Sequence, residues 1–310
     1  MPALNFTRSP RLGYALAATA ATMWAVNGSL ARLVLDEGVG ALHLSQIRAT
    51  VSFLLLLAFL GVFKRDDLRI ERREVPALAM LGIGGLAMVQ STYFFAIERL
   101  DVGVALAIQY TGPLLLLLYL RFFKHKPLTP SLWGAVALSA VGSFLVVEAY
   151  DASGIDGIGV AWAVLAAVFF ALYLVLSENA GARHAPHTTL TWAFGFTTLF
   201  WLFVRPPWTF PVEVFDEPRA VLLALGVAVI GTLIPFVLIV TAVRHIPAER
   251  AAVVATLEPV LAAILAWPIL DQALSAPQIA GIVIVVAAVT WVQSHRPPGA
   301  KGGGPPAAAP

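Results

Sequence analysis

Apolar residues run through this chain in blocks too long for a soluble domain's helix or strand. Crossing about 30 Å of hydrocarbon takes about 20 apolar residues at a helical rise of about 1.5 Å. Ten runs of that kind, bounded by charges or by Gly, Pro and Asp clusters, cover residues 12–34, 44–63, 75–97, 101–122, 131–148, 157–177, 188–205, 219–241, 250–270 and 276–294. They predict an all-α polytopic membrane protein with ten transmembrane helices and little chain left for a soluble domain. The first run follows Arg8 and Arg11 and ends in small residues, as a secretory signal does, but its apolar length exceeds the core of a signal and it is read as a mature span.

Composition agrees with the pattern. Of 310 residues, 59% are hydrophobic and 12% charged, and the mean hydropathy is +0.83. The chain has no cysteine, which excludes disulfides, thiolate metal sites and a cysteine nucleophile. Its six histidines, at or near span ends, show no metal-ligand spacing, so neither a metal nor a cofactor is expected.

The net charge of +2 does not indicate a nucleic-acid partner, because the basic residues are distributed among loops. With a cytoplasmic N-terminus, ten spans leave only Arg32, Arg99, Arg205 and Arg219 outside. The other loop Lys and Arg, from Arg8 and Arg11 through "KRDDLRIERRE" and Arg250 to Arg296 and Lys301, then fall inside. This alternation predicts a multi-pass plasma-membrane protein with both termini cytoplasmic. Trp133, Trp162, Trp192, Trp267 and Trp291 lie toward span ends, whereas Trp24 is roughly 18 Å into its span.

Sliding the chain along itself by 146 residues brings Gly13 onto Gly159, Gly85 onto Gly231, Ala105 onto Ala251 and Pro113 onto Pro259. The chain therefore divides into a short N-terminal segment (1–11), two five-helix repeats (12–148 and 157–294) and a Pro, Gly and Ala-rich tail (295–310) expected to be disordered. Five is odd, so the second repeat starts from the opposite side of the membrane. Inverted repeats suit alternating access, with a site between them near mid-membrane; duplication kept as a helical scaffold is the other reading.

The stretches "MWAVNGSLAR", "SQIRATVSFLLL", "AIERLDVGVALAIQYTGPLLLLLYL" and "AVRHIPAERAAVVATLEPVLAAILAW" carry a further signal. Through them the chain resembles the EamA-type members of the drug/metabolite transporter superfamily over nearly its full length. The resemblance implies a secondary transporter, usually an exporter, of small metabolites, with amino-acid efflux among the common activities. It also implies a central cavity lined by the first to fourth and sixth to ninth spans. Where many members carry Gly-Glu after the ninth span and at its twin, this chain has Asp271-Gln272 and His125-Lys126.

Glu258 stands out within this frame. It sits roughly 12 Å into a span, where an ionisable group is a functional hypothesis by default. It fits either a proton carrier or a fixed anion that meets a substrate ammonium; the alternative is a packing group hydrogen-bonded to Thr256 or a neighbouring helix. Substrate anchoring is preferred because Pro259 frees the carbonyl of Ala255, which can share a cation with the carboxylate. Pro113 frees that of Gln109 in the same way, and the two prolines predict symmetric kinks suited to gating. Trp24, Asn27, Gln90, Tyr93, Gln109 and Tyr110 offer aromatic walls and a few amides. Arg48 can neutralise a substrate carboxylate, but its position near a span end favours snorkelling to the outer interface.

The expected partners are thus a small-molecule substrate, the lipid bilayer and, if Glu258 cycles a proton, protons. The expected function is export of an amino acid or related metabolite. Efflux of lipophilic or cationic compounds is the rival within transport. An interfacial enzyme is disfavoured, since Asp36-Glu37 and Asp66-Asp67 are joined by neither a nucleophile nor a histidine set.

Overall fold

The computed structural model describes residues 9–100, 102–151, 156–181, 183–209, 216–270 and 274–294; the side chain of Trp267 and residues Asp271, Gln272, Arg296 and Lys301 lie outside the described set. Among the described residues there are helices and no strands. We label them α1 (Pro10–Asp36), α2 (Ala41–Phe63), α3 (Val75–Ile97), α4 (Val102–Gln109), α5 (Gly112–Phe122), α6 (Pro130–Val146), α7 (Gly157–Gly181), α8 (Pro186–Val204), α9 (Pro218–His245), α10 (Ala248–Ala255), α11 (Leu257–Leu270) and α12 (Ala276–Ser294). Among the described residues, six segments are long and apolar enough to cross a membrane: Ala41–Phe63, Val75–Ile97, Val104–Phe122, Gly157–Gly181, Pro218–His245 and Ala276–Ser294.

Helix starts follow from local chemistry. Proline opens α1, α6, α8 and α9, where its missing amide proton has no intrahelical partner to lose. The Thr129 side chain caps α6 through the Leu132 amide, and Asp156 caps α7 through the Gly159 amide at 2.8 Å. That amide, more than the neighbouring Arg99, holds the Asp156 carboxyl below its ordinary range.

Two expected spans, 101–122 and 250–270, are divided. The helix stops at Gln109 before Pro113 and at Ala255 before Pro259, with Tyr110-Thr111 and Thr256 between the halves. A proline has no amide proton to return to the carbonyl four residues back and its ring crowds that carbonyl, so each break lies upstream of its proline. A threonine sits in each break and bonds the preceding helix, leaving the carbonyls of Gln109 and Ala255 to other donors: Thr111 donates to the Ile108 carbonyl and Thr256 to the Val253 carbonyl, both at 2.6 Å. Thr256 therefore spends its proton on the backbone and not on Glu258.

α3 and α9 each contain a stretch of π-helix, Met80–Ala87 and Val229–Leu233. Gly82, in "GIGGLA", marks a close crossing: a methyl there would collide with the Ala193 carbonyl of α8, and the Gly82 carbonyl accepts from Thr197 at 2.8 Å.

The rods pack in a definite set of partners. α1 lies against α9 and α11, α7 lies against α3 and α5, α2 lies along α8, and α6 along α12. Leu81, Leu116, Leu174, Phe194, Ile239, Val253 and Val285 belong to the largest buried cluster. Leu54, Phe59, Val62 and Phe63 of α2 and Leu199 and Phe203 of α8 point outward, an apolar exterior suited to lipid as solvent.

Small residues allow the closest approaches, as expected where lipid supplies no hydrophobic drive between helices. A Cβ on Gly142 of α6 would stand 2.6 Å from Val285 and 2.9 Å from the Gly281 carbonyl of α12. Gly142→Leu is expected to cost about 1–3 kcal/mol by overpacking and to lower the melting temperature of the detergent-solubilised protein. Gly226→Ala, where a new methyl meets nothing within 4 Å, is the control and should melt no lower than the parent. Equal melting of Gly142→Leu and the parent would refute this crossing.

Candidate functional site

Glu258 occupies the first turn of α11, just past the break at Thr256. A helix N-terminus presents unpaired amides and the positive end of the helix dipole, so it is a favourable place for a carboxylate inside a membrane protein. The other break supplies its nearest polar partner. The Tyr110 hydroxyl, in the gap between α4 and α5, is in hydrogen-bonding position to the Glu258 carboxylate. Tyr93 of α3 and Arg48 of α2 both lie within electrostatic reach of it.

The position 146 residues earlier is Gly112. There a Cβ would stand 2.9 Å from Phe170 and 3.1 Å from the Ala167 carbonyl of α7. The crossing admits no side chain, which is the steric reason that only one of the two broken helices carries the charge.

Arg48 overturns the snorkelling expectation. Its side chain is directed into the protein and only 8% exposed. Nε donates to Thr232 Oγ1 at 2.6 Å, and Nη2 reaches the Gly231 carbonyl at 3.5 Å, both within the π-helical stretch of α9. Thr232 in turn donates to the Val227 carbonyl, five residues back, at 3.0 Å. Ser52, one turn along α2, donates to the Ala228 carbonyl. A π-turn loosens the regular carbonyl ladder, and here α2 uses the accessible carbonyls. Sequence spacing placed Arg48 one turn from the end of α2, but a long side chain follows its hydrogen-bond acceptors.

Asn27 joins the same neighbourhood from α1. It packs so tightly on Gly231 that any side chain there would overlap it. Asn27 Oδ1 and Gln109 Oε1 are buried and have no hydrogen-bond partner among the described residues. Trp24, one turn before Asn27, stacks edge-on against Phe236 of α9 at 5.4 Å between centroids, and Tyr173 and Phe194 meet the same ring at 5.5 and 5.8 Å. The structure thus gathers Glu258, Tyr110, Tyr93 and Arg48 electrostatically and brings Asn27 beside Arg48's anchor. Trp24 is joined to an aromatic cluster, and Gln90 is half-buried one turn from Tyr93.

A second polar cluster was missed. Arg250, read from the sequence as a loop cation, lies inside α10 and is 6% exposed; its Nη1 donates to the Tyr14 hydroxyl at 2.8 Å and to the Val292 carbonyl at 2.7 Å. It therefore ties α10 to both α1 and α12. Beside it Lys126 pairs with the buried Glu249 at 2.7 Å. The adjacent His125 has φ 50, in the left-handed region where the family pattern places glycine, and Lys126 donates its amide to the Leu120 carbonyl to close the end of α5. Charge at a span boundary gave no sign of this burial, because helix length alone does not tell whether a boundary meets water or another helix.

Known proteins agree with this architecture. Over 251 residues, 81% of each chain, the protein is 28% identical to the threonine/homoserine exporter RhtA of Escherichia coli strain K12. It is 22% identical over 290 residues, 92% of this chain and 96% of the other, to the uncharacterized inner membrane transporter YicL of Salmonella typhimurium strain LT2. A solved crystal structure superposes with a TM-score of 0.75 at 18% identity, covering 91% of this chain and 96% of that one, and so shares the fold. The EamA-like transporter family matches residues 11–148 and again 157–293. With two matches that together take in almost all the helices, and with an exporter and an inner membrane transporter as relatives, the chain belongs to the EamA-like transporter family of the drug/metabolite transporter superfamily.

Proposed function

We propose that the protein exports a small polar metabolite, amino acids first, across the plasma membrane by alternating access between two inverted five-helix repeats, residues 12–148 and 157–294. Glu258 is the charged anchor of the transport site. The observation that carries this reading is the meeting of a half-buried carboxylate, a tyrosine hydroxyl and a guanidinium where two proline-broken helices come together. Alternating-access carriers place substrate at interrupted helices near mid-membrane. RhtA is named as a threonine and homoserine exporter, which favours amino acids over lipophilic cations.

Pairwise exchange of contacts supports the two-repeat reading. A shift of 146 residues turns the crossing of Gly85 with Tyr173 into that of Gly231 with Asn27, and the contact of Gly13 with His245 and Ile246 into that of Gly159 with Arg99 and Leu100. It also carries the break after Gln109 onto the break after Ala255 and the π-helix of α3 onto that of α9. In this arrangement α6 and α12 are peripheral, while the carbonyls of Gln109 and Ala255 and the unused acceptors of Asn27 and Gln109 serve the substrate's ammonium and hydroxyl groups. Tyr93, Tyr110, Gln90 and Trp24 line the route, and the prolines act as its bends.

Orientation has a direct check. With both termini cytoplasmic, a reporter active only in the cytoplasm should be active when fused after Arg73 or Lys301 and silent near Asp156. The reverse pattern would remove both the orientation and the inverted topology.

The site is tested in proteoliposomes by counterflow and by binding. If Glu258 anchors an ammonium, Glu258→Gln should raise the apparent KM about tenfold or more at every pH gradient, the loss expected when a hydrogen-bonded charge is neutralised. If it cycles a proton, the same change should abolish accumulation driven by pH and leave downhill exchange. Wild-type transport and binding in the variant would remove Glu258 from the mechanism.

A further inference from the structure

We infer that Arg48 reads the substrate's carboxylate, so that the site admits α-amino acids as zwitterions and excludes their amine and acid counterparts; this rests on the transport reading above. A buried guanidinium and a half-buried carboxylate lie in electrostatic reach here without closing. Arg48 and Glu258 are in electrostatic reach, yet among the described residues no closed ion pair forms between them. If Arg48 were only the counter-ion of Glu258, a bidentate fork on the carboxylate would be the most favourable buried geometry. Instead its Nε and Nη2 are committed to Thr232 and the Gly231 carbonyl, which fixes the guanidinium from behind.

Each charge is thereby held by its own scaffold. Glu258 rests on the start of α11 and the Tyr110 hydroxyl, and Arg48 rests on the π-helical stretch of α9. Nη1 has no protein partner among the described residues. A guanidinium nitrogen with no protein partner, and not among the fully enclosed unpaired atoms, keeps its donors for a ligand carboxylate. A molecule with an ammonium and a carboxylate on one carbon satisfies both ends together, placing its cation at Glu258 and its anion at Arg48. A lone amine would leave Arg48 unmet, and a lone acid would be repelled by Glu258.

Thr232 is the positioning residue. In an α-helix its hydroxyl would back-bond three or four residues away; in the π-turn it donates to Val227 and offers its lone pair to Arg48. The same turn carries Gly231, where Asn27 and the Arg48 Nη2 converge. Helix irregularity, guanidinium orientation and substrate charge are in this way linked through one residue.

The experiment offers wild-type proteoliposomes each of the twenty standard L-amino acids, together with its methyl ester, which lacks the carboxylate, and its N-acetyl derivative, which lacks the ammonium. Counterflow of at least one amino acid is expected, with its ester and N-acetyl form about tenfold or more slower. Thr232→Val keeps the side-chain shape and removes the acceptor. It should raise the amino acid's KM about tenfold with little change in maximal rate, and Arg48→Lys should narrow the gap between amino acid and ester; monodispersity in detergent verifies folding. The comparison of wild-type substrates stands without any variant. An ester or N-acetyl derivative exchanging as fast as its parent would overturn the zwitterion inference and leave transport standing, as would unchanged KM and discrimination in both variants. No exchange of any of these compounds would overturn the transport reading and the inference together.

Discussion

Hydrocarbon offers no hydrogen bonds, and among the described residues the irregular stretches of helix draw polar side chains from within the protein. The breaks before Pro113 and Pro259 free the carbonyls of Gln109 and Ala255, and beside them Thr111 and Thr256 return their hydroxyls to the carbonyls of Ile108 and Val253. The π-helical stretch of α9 loosens its ladder, and Ser52, Thr232 and Arg48 meet it. Irregular backbone is found where neighbouring side chains can satisfy it, and those side chains are the ones that gather around Glu258.

The same constraint bears on why only one of the two stretches that match the family, 11–148 and 157–293, carries the carboxylate at its proline break. Close helix crossings use glycine in both halves, at Gly13 and Gly159 and at Gly85 and Gly231. At Gly112 the approach of Phe170 and the α7 backbone leaves no room for a side chain, whereas Glu258 is only partly enclosed and has Tyr110 to bond with. A second carboxylate at Gly112 would clash and would add a like charge to the same region. Close glycine crossings and a single anion are compatible because the crossings use backbones and the anion uses one open first turn.

Arg250 shows the other use of buried charge. Its guanidinium bonds a tyrosine hydroxyl and a main-chain carbonyl, joining α1, α10 and α12, and the neighbouring Lys126–Glu249 pair adds the end of α5. Arg48 and Arg250 are almost equally buried, but the first faces a carboxylate it does not touch and the second is spent on structure. Burial alone does not separate a structural cation from one set apart for a ligand; the partners do.

The apolar runs alone determined that the chain is helical and lies in a membrane, because the length needed to cross hydrocarbon is fixed by helix rise. The prolines marked the two interruptions, because a missing amide proton acts locally whatever surrounds it, and Glu258 was legible because a carboxylate has no ordinary reason to sit in an apolar run. Three things were decided only in three dimensions. Arg48 turns inward because α9 presents a carbonyl and a hydroxyl there, Tyr110 finds Glu258 because two breaks far apart in sequence meet in space, and Arg250 is enclosed because α1 and α12 close over a span boundary. Periodicity and composition report what a residue prefers of its solvent; which partner it meets depends on how the helices cross, and that is set by glycines and π-turns whose effect appears only once the helices are packed.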